Sequence, residues 1–260
     1  MGSRTTDAGT TTNTTEGSPG LVDVDMRPIC ENMTHLAFRI MFAKAQVLAI
    51  GLLAARIASL KGWPQSEKGR VLKWFGRDDE QTRTRLLAGL TKVQEVVRSF
   101  NEHNVVRTGS AAGASTACNS DPPGTDQGAA HMCATDTAMH MPFIGTRFCT
   151  MRPWSAHADS QVSVIIHEAS RVLDTRTATG KPCNITRFLP AWGRLHPDLA
   201  IDNAASIAGY VVDDEAIPDG RRVRLPGAGI DPGPRRVGGG VEPDYPDHGC
   251  TNPRPARDTP

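Results

Sequence analysis

His167 and Glu168 stand together in the run Ser163-Val-Ile-Ile-His-Glu-Ala-Ser-Arg171. When a second His follows the first by four residues, two imidazoles share one helix face and can hold zinc, and the Glu between them activates a metal-bound water. Here Arg171 occupies the position of that second His. A guanidinium has no acceptor atom for a metal and repels a cation at close range. The run therefore indicates hydrolytic zinc chemistry with one ligand position lost.

A helix is predicted to carry these residues, with Asp159 as its N-cap. The apolar residues recur at the spacing of a buried stripe: Val162, Ile165, Ile166, Ala169, Val172 and Leu173. His167, Arg171 and Asp174 fall together on the opposite side of that helix. An ordinary solvated face, on which Arg171 pairs with Asp174 or with a neighbour of His167, is the alternative interpretation.

Other side chains could rebuild a ligand set around His167. Asp174 lies one turn beyond Arg171, while His157 and His196 precede the motif helix and the last predicted helix. A site of two His and one Asp would need these groups placed to within tenths of an ångström. The alternative is that they are surface residues without a metal.

Composition excludes several classes of function. The 260 residues include 29 basic and 28 acidic side chains, and a net charge of +1 argues against a general role on nucleic acid or on a membrane surface. The most apolar run, Ala45 to Ala55, is about half of the ~20 residues that a membrane span needs, so no transmembrane helix is predicted. The first twenty residues lack the apolar segment of a standard signal peptide.

The chain divides into three parts by composition. Residues 1–26 are rich in Thr and Gly and are predicted to be disordered, and residues 216–260 form a Pro/Gly-rich tail with the same prediction. Residues 27–215 carry the periodic apolar patterns and are predicted to form one domain. We therefore expect a mostly helical α+β domain between two disordered tails.

Two helices are predicted in the first half of that domain. The first runs from Pro28 to Leu60 and should be largely buried, with the stripe Leu36, Ile40, Ala43, Val47, Ile50, Ala54 and Ile57. The second follows a capping-box pair, Asp78 and Gln81, and has the stripe Leu86, Leu90, Val93, Val97 and Phe100. We expect these two helices to pack against each other as a hairpin.

The second half is predicted to contain a short hairpin and two more helices. Residues 137–151 have strand character, because Ile144, Thr146, Phe148 and Thr150 alternate with other residues. The motif helix follows, then a loop over residues 175–186. A last helix is predicted from Leu199 to Val212.

Seven short motifs occur in order along the chain: Trp74-Phe-Gly76, Cys133-Ala-Thr-Asp136, Gly145-Thr-Arg-Phe-Cys149, Trp154-Ser-Ala, Asp159-Ser-Gln, Ile166-His-Glu-Ala-Ser and Pro197-Asp-Leu-Ala-Ile-Asp-Asn203-Ala204. Each is weak alone, but the ordered set resembles the deuterolysin and peptidyl-Lys metalloendopeptidase family, the aspzincins. The resemblance covers roughly Cys30 to Val212. It implies a single zincin-like peptidase domain with a small sheet beside the motif helix, zinc as cofactor, and a protein or peptide substrate.

Carried over residue by residue, the resemblance gives His167 as the first zinc ligand and Glu168 as the general base. The third ligand of the family is an Asp in a Gly-Thr-x-Asp-x-x-Tyr-Gly loop, and this loop aligns with residues 174–181. Thr177 then stands at the ligand Asp, just as Arg171 stands at the second ligand His. Two of the three ligand positions are therefore degenerate.

The remaining functional positions of the family are degenerate as well. Gly180 stands at the loop Tyr that helps to stabilise the oxyanion. Ala205 and Ala208 stand at the Asp and Glu that receive the substrate lysine in the lysine-specific members. Without metal, water keeps a pKa near ~15.7, and Glu168 alone cannot make it a nucleophile. The pattern therefore predicts that zinc binding and catalysis have been lost.

Two disulfide bonds are predicted among the six cysteines. Cys133 and Cys149 bracket the predicted hairpin and can be bridged if its strands pair. The family pattern suggests a second bond between Cys30 and Cys118.

Three interpretations of function stay open. The first is a deuterolysin-like domain whose catalysis has been lost. The second is an active zinc peptidase with a rebuilt ligand set, using Glu168 as base and His167 with Asp174 or a remote His as ligands. The third is a non-catalytic peptide-binding module of an exported effector. The family resemblance implies secretion, and a monomer without nucleic-acid or membrane partners is expected.

Overall fold

A computed structural model describes residues 11–12, 21–22, 28–108, 128–132, 140–171 and 184–213. Within the N-terminal segment, β1 (Thr11–Thr12) pairs antiparallel with β2 (Leu21–Val22). The rest of that segment and the whole C-terminal tail lie outside the described ranges, so their predicted disorder stays a prediction.

Three helices form the first half of the domain. Helix α1 (His35–Gly62) begins at Thr34, whose side chain accepts a hydrogen bond from the backbone N–H of Ala37 at 3.2 Å. It ends where Trp63 adopts a left-handed conformation with φ 49°. Helix α2 (Gln65–Phe75) was not predicted, and it ends at Gly76, with φ 70°.

Helix α3 (Glu80–Ser99) packs against α1, so the predicted pairing of these two helices is confirmed, although α2 intervenes along the chain. Its cap was misplaced by one residue. The carboxylate of Asp79, not Asp78, accepts from the backbone N–H of Thr82 at 2.7 Å. That hydrogen bond lowers the pKa of Asp79.

The prediction for α1 was only partly right about which residues are buried: Ile57 of the predicted stripe is in the core, but much of the stripe is not. The core receives Phe38, Phe42, Ala45, Ala49, Leu52, Leu53, Ile57 and Leu60. Of the predicted stripe, Leu36, Ile40 and Val47 are exposed instead. The helix is apolar nearly all round, so periodicity could not decide between its two sides. Among the described helices, α1 is also the one long and apolar enough to cross a membrane, by length and composition only.

A three-stranded sheet joins distant parts of the chain. Its strands are β3 (Val106–Arg107), β4 (Ala130–Met132) and β5 (Pro142–Ile144), and the spatial order is β3-β5-β4. Strand β5 runs parallel to β3 and antiparallel to β4. The predicted strand beyond Ile144 is wrong, because Gly145 starts the short helix α4 (Thr146–Thr150). The alternation of these residues did not determine the outcome, because neither partner strand continues its pairing beyond Ile144.

Four helices complete the described chain: α5 (Gln161–Ser170), α6 (Leu189–Leu195), α7 (Pro197–Ala200) and α8 (Ala204–Val212). The last helix was predicted to run without a break from Leu199. It is interrupted at Asn203, whose side chain caps α8 by accepting from the backbone N–H of Ser206 at 2.8 Å. Helix α5 packs against α1, α3 and α8. The predicted α+β class, mostly helical with a small sheet, is confirmed.

Both disulfide predictions are wrong. Cys30, fully buried just before α1, is bonded to Cys149 on α4, with their Cα atoms 5.6 Å apart. Cys149 therefore cannot pair with Cys133, nor Cys30 with Cys118. The two partners are 119 residues apart in the sequence, and spacing along the chain cannot reveal such a distant contact.

Candidate active site on helix α5

Side-chain hydrogen bonds cap the N-terminus of helix α5 and connect it to a neighbouring segment. Ser160, not the predicted Asp159, is the N-cap, and its backbone N–H donates to Oγ of Ser163 at 2.8 Å while Ser163 N–H donates back at 3.2 Å. This reciprocal pair is a capping box. Asp159 instead accepts a hydrogen bond from the backbone N–H of Ile185 at 2.9 Å, and burial raises its pKa. The start of α5 is thereby tied to the segment that leads into α6.

The predicted two-sided character of α5 is not observed. Nine of its ten residues are buried, including Glu168. His167 is the exception, with 15% of its side chain exposed. Because α1, α3 and α8 surround the helix, the interpretation of His167 as part of an ordinary solvated face is wrong. The pairing of Arg171 with a neighbour of His167, which that interpretation included, is observed with Glu168.

Glu168 is a buried carboxylate that is only partly satisfied. It receives a hydrogen bond from the backbone N–H of Met132 on β4. Its Oε2 atom has no hydrogen-bond partner among the described residues. Burial raises the pKa of Glu168 to about 7, although Arg171 and the Met132 N–H pull it downward. The Met132 contact was invisible in the sequence, because a backbone N–H leaves no signal in residue type.

His167 is held as a neutral imidazole. Burial, followed by the nearby charge of Arg171, lowers its pKa to about 3. Its Nε2 atom lies 3.9 Å from Oε1 of Glu168. A neutral imidazole is the form that binds a metal, so His167 itself is fit to be a ligand.

Arg171 closes the end of α5 and takes up a position beside Glu168. Its Nε atom is 3.8 Å from Oε2 of Glu168, too long for a hydrogen bond but close enough for an ion pair. About 30% of its side chain is exposed. Glu168 therefore has a cationic neighbour that comes from its own helix end.

The residues that the structure describes around His167 do not fit a zinc ion. The part of the chain that the structure describes contains no group of three or more His, Cys, Asp or Glu side chains that could hold one. His157 and His196, proposed as remote ligands, are both exposed. The unpartnered oxygen of Glu168 faces a guanidinium, which would repel a divalent cation. Asp174, Thr177 and Gly180 lie outside the described residues.

The positions aligned with the family's specificity carboxylates belong to the core. Ala205 and Ala208 are fully buried on α8. Neither offers surface to a substrate pocket in this chain. An acidic side chain at either position would be buried in a packed helix without an evident partner.

A surface cavity lies elsewhere, where α2 and α3 meet α7. It has a volume of about 70 Å³ and is lined by Phe75, Arg77, Gln81, Thr82, Arg85, Pro197, Asp198 and Ile201. The two arginines that line it already form ion pairs, Arg77 with Asp198 at 2.9 Å and Arg85 with Asp202 at 2.7 Å. Phe75, Pro197, Asp198 and Ile201 belong to the first and last of the ordered motifs, but His167, Glu168 and Arg171 do not line this cavity.

Comparison with known proteins gives a distant structural likeness. No protein-family model matches the chain, and no curated protein matches it. A solved structure titled as a zinc peptidase from Grifola frondosa is similar over 68% of this chain and 94% of its own, with 15% sequence identity and a TM-score of 0.49. A likeness at this level does not establish a shared family or activity.

Proposed function

We propose that this domain descends from a deuterolysin-like zinc metalloendopeptidase and has lost zinc binding and peptide-bond hydrolysis. The ordered motifs from Trp74 to Ala204 support the descent. The single observation that carries the loss is the place of Arg171, four residues after His167 with its guanidinium 3.8 Å from Glu168.

The charges around Glu168 explain how the fold can stay stable after zinc binding is lost. In a zinc hydrolase the metal supplies the positive charge beside the general base and lowers the pKa of its bound water. In this chain Arg171 supplies a positive charge at that place but cannot bind or activate water as a metal does. Glu168 keeps a cationic neighbour, and the reaction loses its nucleophile.

What remains of the ancestral role is recognition of a protein or peptide. The family acts on such chains, and nothing in the loss of a metal ligand requires loss of binding. We propose recognition without hydrolysis as the function, in a domain that is exported as the family is. An active peptidase with a rebuilt ligand set is the alternative that the metal measurement decides.

The test is the zinc content and peptidase activity of the purified full-length protein. After dialysis, atomic emission should find far less than one zinc per chain, and casein should stay intact. Stoichiometric zinc, or hydrolysis that a chelator abolishes, would overturn the proposal.

Arg171→His serves as the matched variant. It restores the second imidazole one turn from His167 and removes the opposing charge. We expect zinc affinity to rise in the order parent, Arg171→His, Arg171→His with Thr177→Asp. Equal affinities in all three would show that the ligand positions are wrongly assigned.

A further inference from the structure

The outward side of α1 is an exposed apolar surface. It is formed by residues three or four apart, and we name it the outer face of α1: Leu36, Ile40, Ala43, Val47, Gly51, Ala54 and Ala58. At 100° per residue these positions fall within a stripe about 80° wide. Leu36 is 68% exposed, Val47 63% and Ile40 45%. These three account for half of the six large hydrophobic side chains that are exposed in the described part of the chain.

The surroundings of this face leave room for a partner. A Cβ atom added to Gly51 would meet nothing within 4 Å. Helix α1 contains no Asp or Glu, so its outer face has no acidic residue of its own. A helix that is apolar on every side is normally covered on every side, and among the described residues the core covers one side of α1 only.

Side-chain size changes along the outer face in an ordered way. The large residues Leu36, Ile40 and Val47 belong to the N-terminal half of α1, whereas Gly51, Ala54 and Ala58 belong to the C-terminal half. Consider a second identical helix that lies antiparallel against the outer face, with the two-fold axis at the height of Ala49 along α1. Ile40 then falls opposite Ala58, and Val47 falls opposite Gly51. Leu36 then falls opposite Gly62. Each large side chain meets a position with little or no side chain, so the surface is complementary to itself.

We propose that the outer face of α1 binds the same face of a second copy of this chain, in an antiparallel arrangement with two-fold symmetry. Such a contact is isologous, because each residue pair occurs twice. Small residues at Gly51, Ala54 and Ala58 let the two helices approach closely. The proposal departs from the monomer expected from sequence, and it does not depend on the proposed function.

The charges favour the antiparallel direction over the parallel one. In a parallel pair Lys44 would face Lys44 of the second copy. In the antiparallel pair the two Lys44 positions are separated by about 15 Å along the axis, beyond a Debye length of about 10 Å at 0.1 M salt. Arg39 already pairs with Glu102 at 2.7 Å, which reduces the positive charge that an anionic lipid surface would need.

The first experiment compares two glycine variants of the full-length protein. Gly51→Glu puts a charge at the centre of the proposed contact, and Gly69→Glu puts the same charge on α2, where an added Cβ also meets nothing within 4 Å. Glu is a better helix former than Gly, so neither change should harm the fold. Sedimentation equilibrium at micromolar concentration should give twice the mass of one chain for the parent and for Gly69→Glu. For Gly51→Glu we expect the dimer dissociation constant to rise about 100-fold.

The second experiment tests the register. Ala58→Ile alone should weaken the dimer about tenfold, because the new side chain meets Ile40 of the second copy. The double variant Ile40→Ala with Ala58→Ile exchanges large and small sides of the same pair and should restore the parent affinity. A parallel dimer would show no such restoration and would overturn the proposed arrangement.

A parent protein that has the mass of one chain at every concentration would overturn the proposal altogether. In that case, flotation with anionic phosphatidylserine vesicles, carried out on the parent and on Gly51→Glu, shows whether a lipid surface covers this face instead. Equal masses for Gly51→Glu and Gly69→Glu across the titration would also refute it, because the face would then not be the contact.

Discussion

Glu67 on α2 and Glu168 on α5 are both buried carboxylates, yet their surroundings differ. Glu67 is 1% exposed and accepts from Arg56 at 3.1 Å, from Arg70 at 2.6 Å and from the Tyr210 hydroxyl at 2.5 Å. Glu168 is 5% exposed, with one oxygen left without a hydrogen-bond partner among the described residues. Both carboxylates have an arginine beside them, but only Glu67 is hydrogen-bonded to its arginines.

The network around Glu67 joins three helices. Arg56 of α1 also donates to the backbone carbonyls of Val211 and Asp213, each at 3.2 Å, where α8 ends. Lys73 of α2 donates to both carboxylate oxygens of Asp213, at 2.7 and 2.9 Å. Burial and then the charge of Glu67 raise the pKa of Tyr210, so its hydroxyl remains a donor.

The comparison separates a buried carboxylate that stabilises the fold from one whose burial is only partly compensated by hydrogen bonds. A buried charge is tolerated when its hydrogen bonds are complete, and an unsatisfied buried oxygen costs stability. Glu67 meets that condition and serves the fold. Glu168 does not meet it, since one of its buried oxygens has no hydrogen-bond partner among the described residues.

The largest effect should follow from Glu67→Gln. This change leaves the buried Arg56 without its counter-charge, and breaking a buried pair in this way typically costs about 3–5 kcal/mol. Urea unfolding at pH 7 should show the loss, with an m-value close to that of the parent. A loss below about 1 kcal/mol would mean that the network is more hydrated than its burial indicates.

Glu168→Gln should increase the free energy of unfolding, in contrast to Glu67→Gln, and the size of the increase should depend on pH. The pKa of Glu168 is near 4.5 in the unfolded chain and about 7 in the folded domain, so its ionisation destabilises the fold increasingly from pH 4.5 to pH 7. Gln removes that penalty. The gain should be near zero at pH 4.5 and reach roughly 3 kcal/mol above pH 7, at about 1.4 kcal/mol for each pKa unit.

The control for Glu168→Gln is to measure unfolding of the parent and of the variant at each pH and to compare only the difference between them. His167 titrates in both proteins and its contribution largely cancels in that difference. A gain that is the same at pH 4.5 and at pH 8 would contradict the raised pKa.

Tyr210→Phe should cost less than Glu67→Gln, because Arg56 and Arg70 still hold the carboxylate. A hydrogen bond to a charged group is worth about 1.5–3 kcal/mol. We expect a loss of about 2 kcal/mol by thermal or urea unfolding, nearly constant from pH 6 to pH 8. If the loss equals that of Glu67→Gln, the hydroxyl is essential to the whole network.

Arg171→Met should have the smallest effect on stability, about 1 kcal/mol, because the side chain is partly exposed and its ion pair is long. The loss should vanish in a Glu168→Gln background, which a double-mutant cycle measures. A loss that persists in that background would show that Arg171 acts by packing and not by neutralising Glu168.

The same contrast explains how far the sequence predicts the structure. The motif helix and α3 were predictable because apolar residues such as Ile165, Leu86 and Leu90 repeat at helical spacing. Helix α2 was missed because Glu67 counts as a surface residue in any apolar pattern, although it is 1% exposed. Its burial depends on Arg56 and Tyr210, which are brought to it only by the tertiary fold.

The candidate site was predictable in its residue types and not in its surroundings. His167, Glu168 and Arg171 were identified from their spacing, and the structure keeps them together. Whether Arg171 pointed to solvent or to Glu168 could not be decided from spacing, because both fit one helical turn. The burial that raises the pKa of Glu168 comes from the packing of neighbouring helices around α5.

The bond between Cys30 and Cys149 makes the domain dependent on the redox state of its surroundings. It closes a loop that contains α1, α2, α3 and the strands of the three-stranded sheet, and its ends are 119 residues apart in the sequence. In the chain-entropy account, a disulfide that closes a loop of this length raises the free energy of the unfolded state by about 4–5 kcal/mol. This is a large share of the stability of a typical domain. Thioredoxin and glutathione would remove that contribution in a reducing compartment. The covalent link between α1 and α4 therefore forms only where thiols can be oxidised. The compartment in which the chain folds thus sets the stability of this domain.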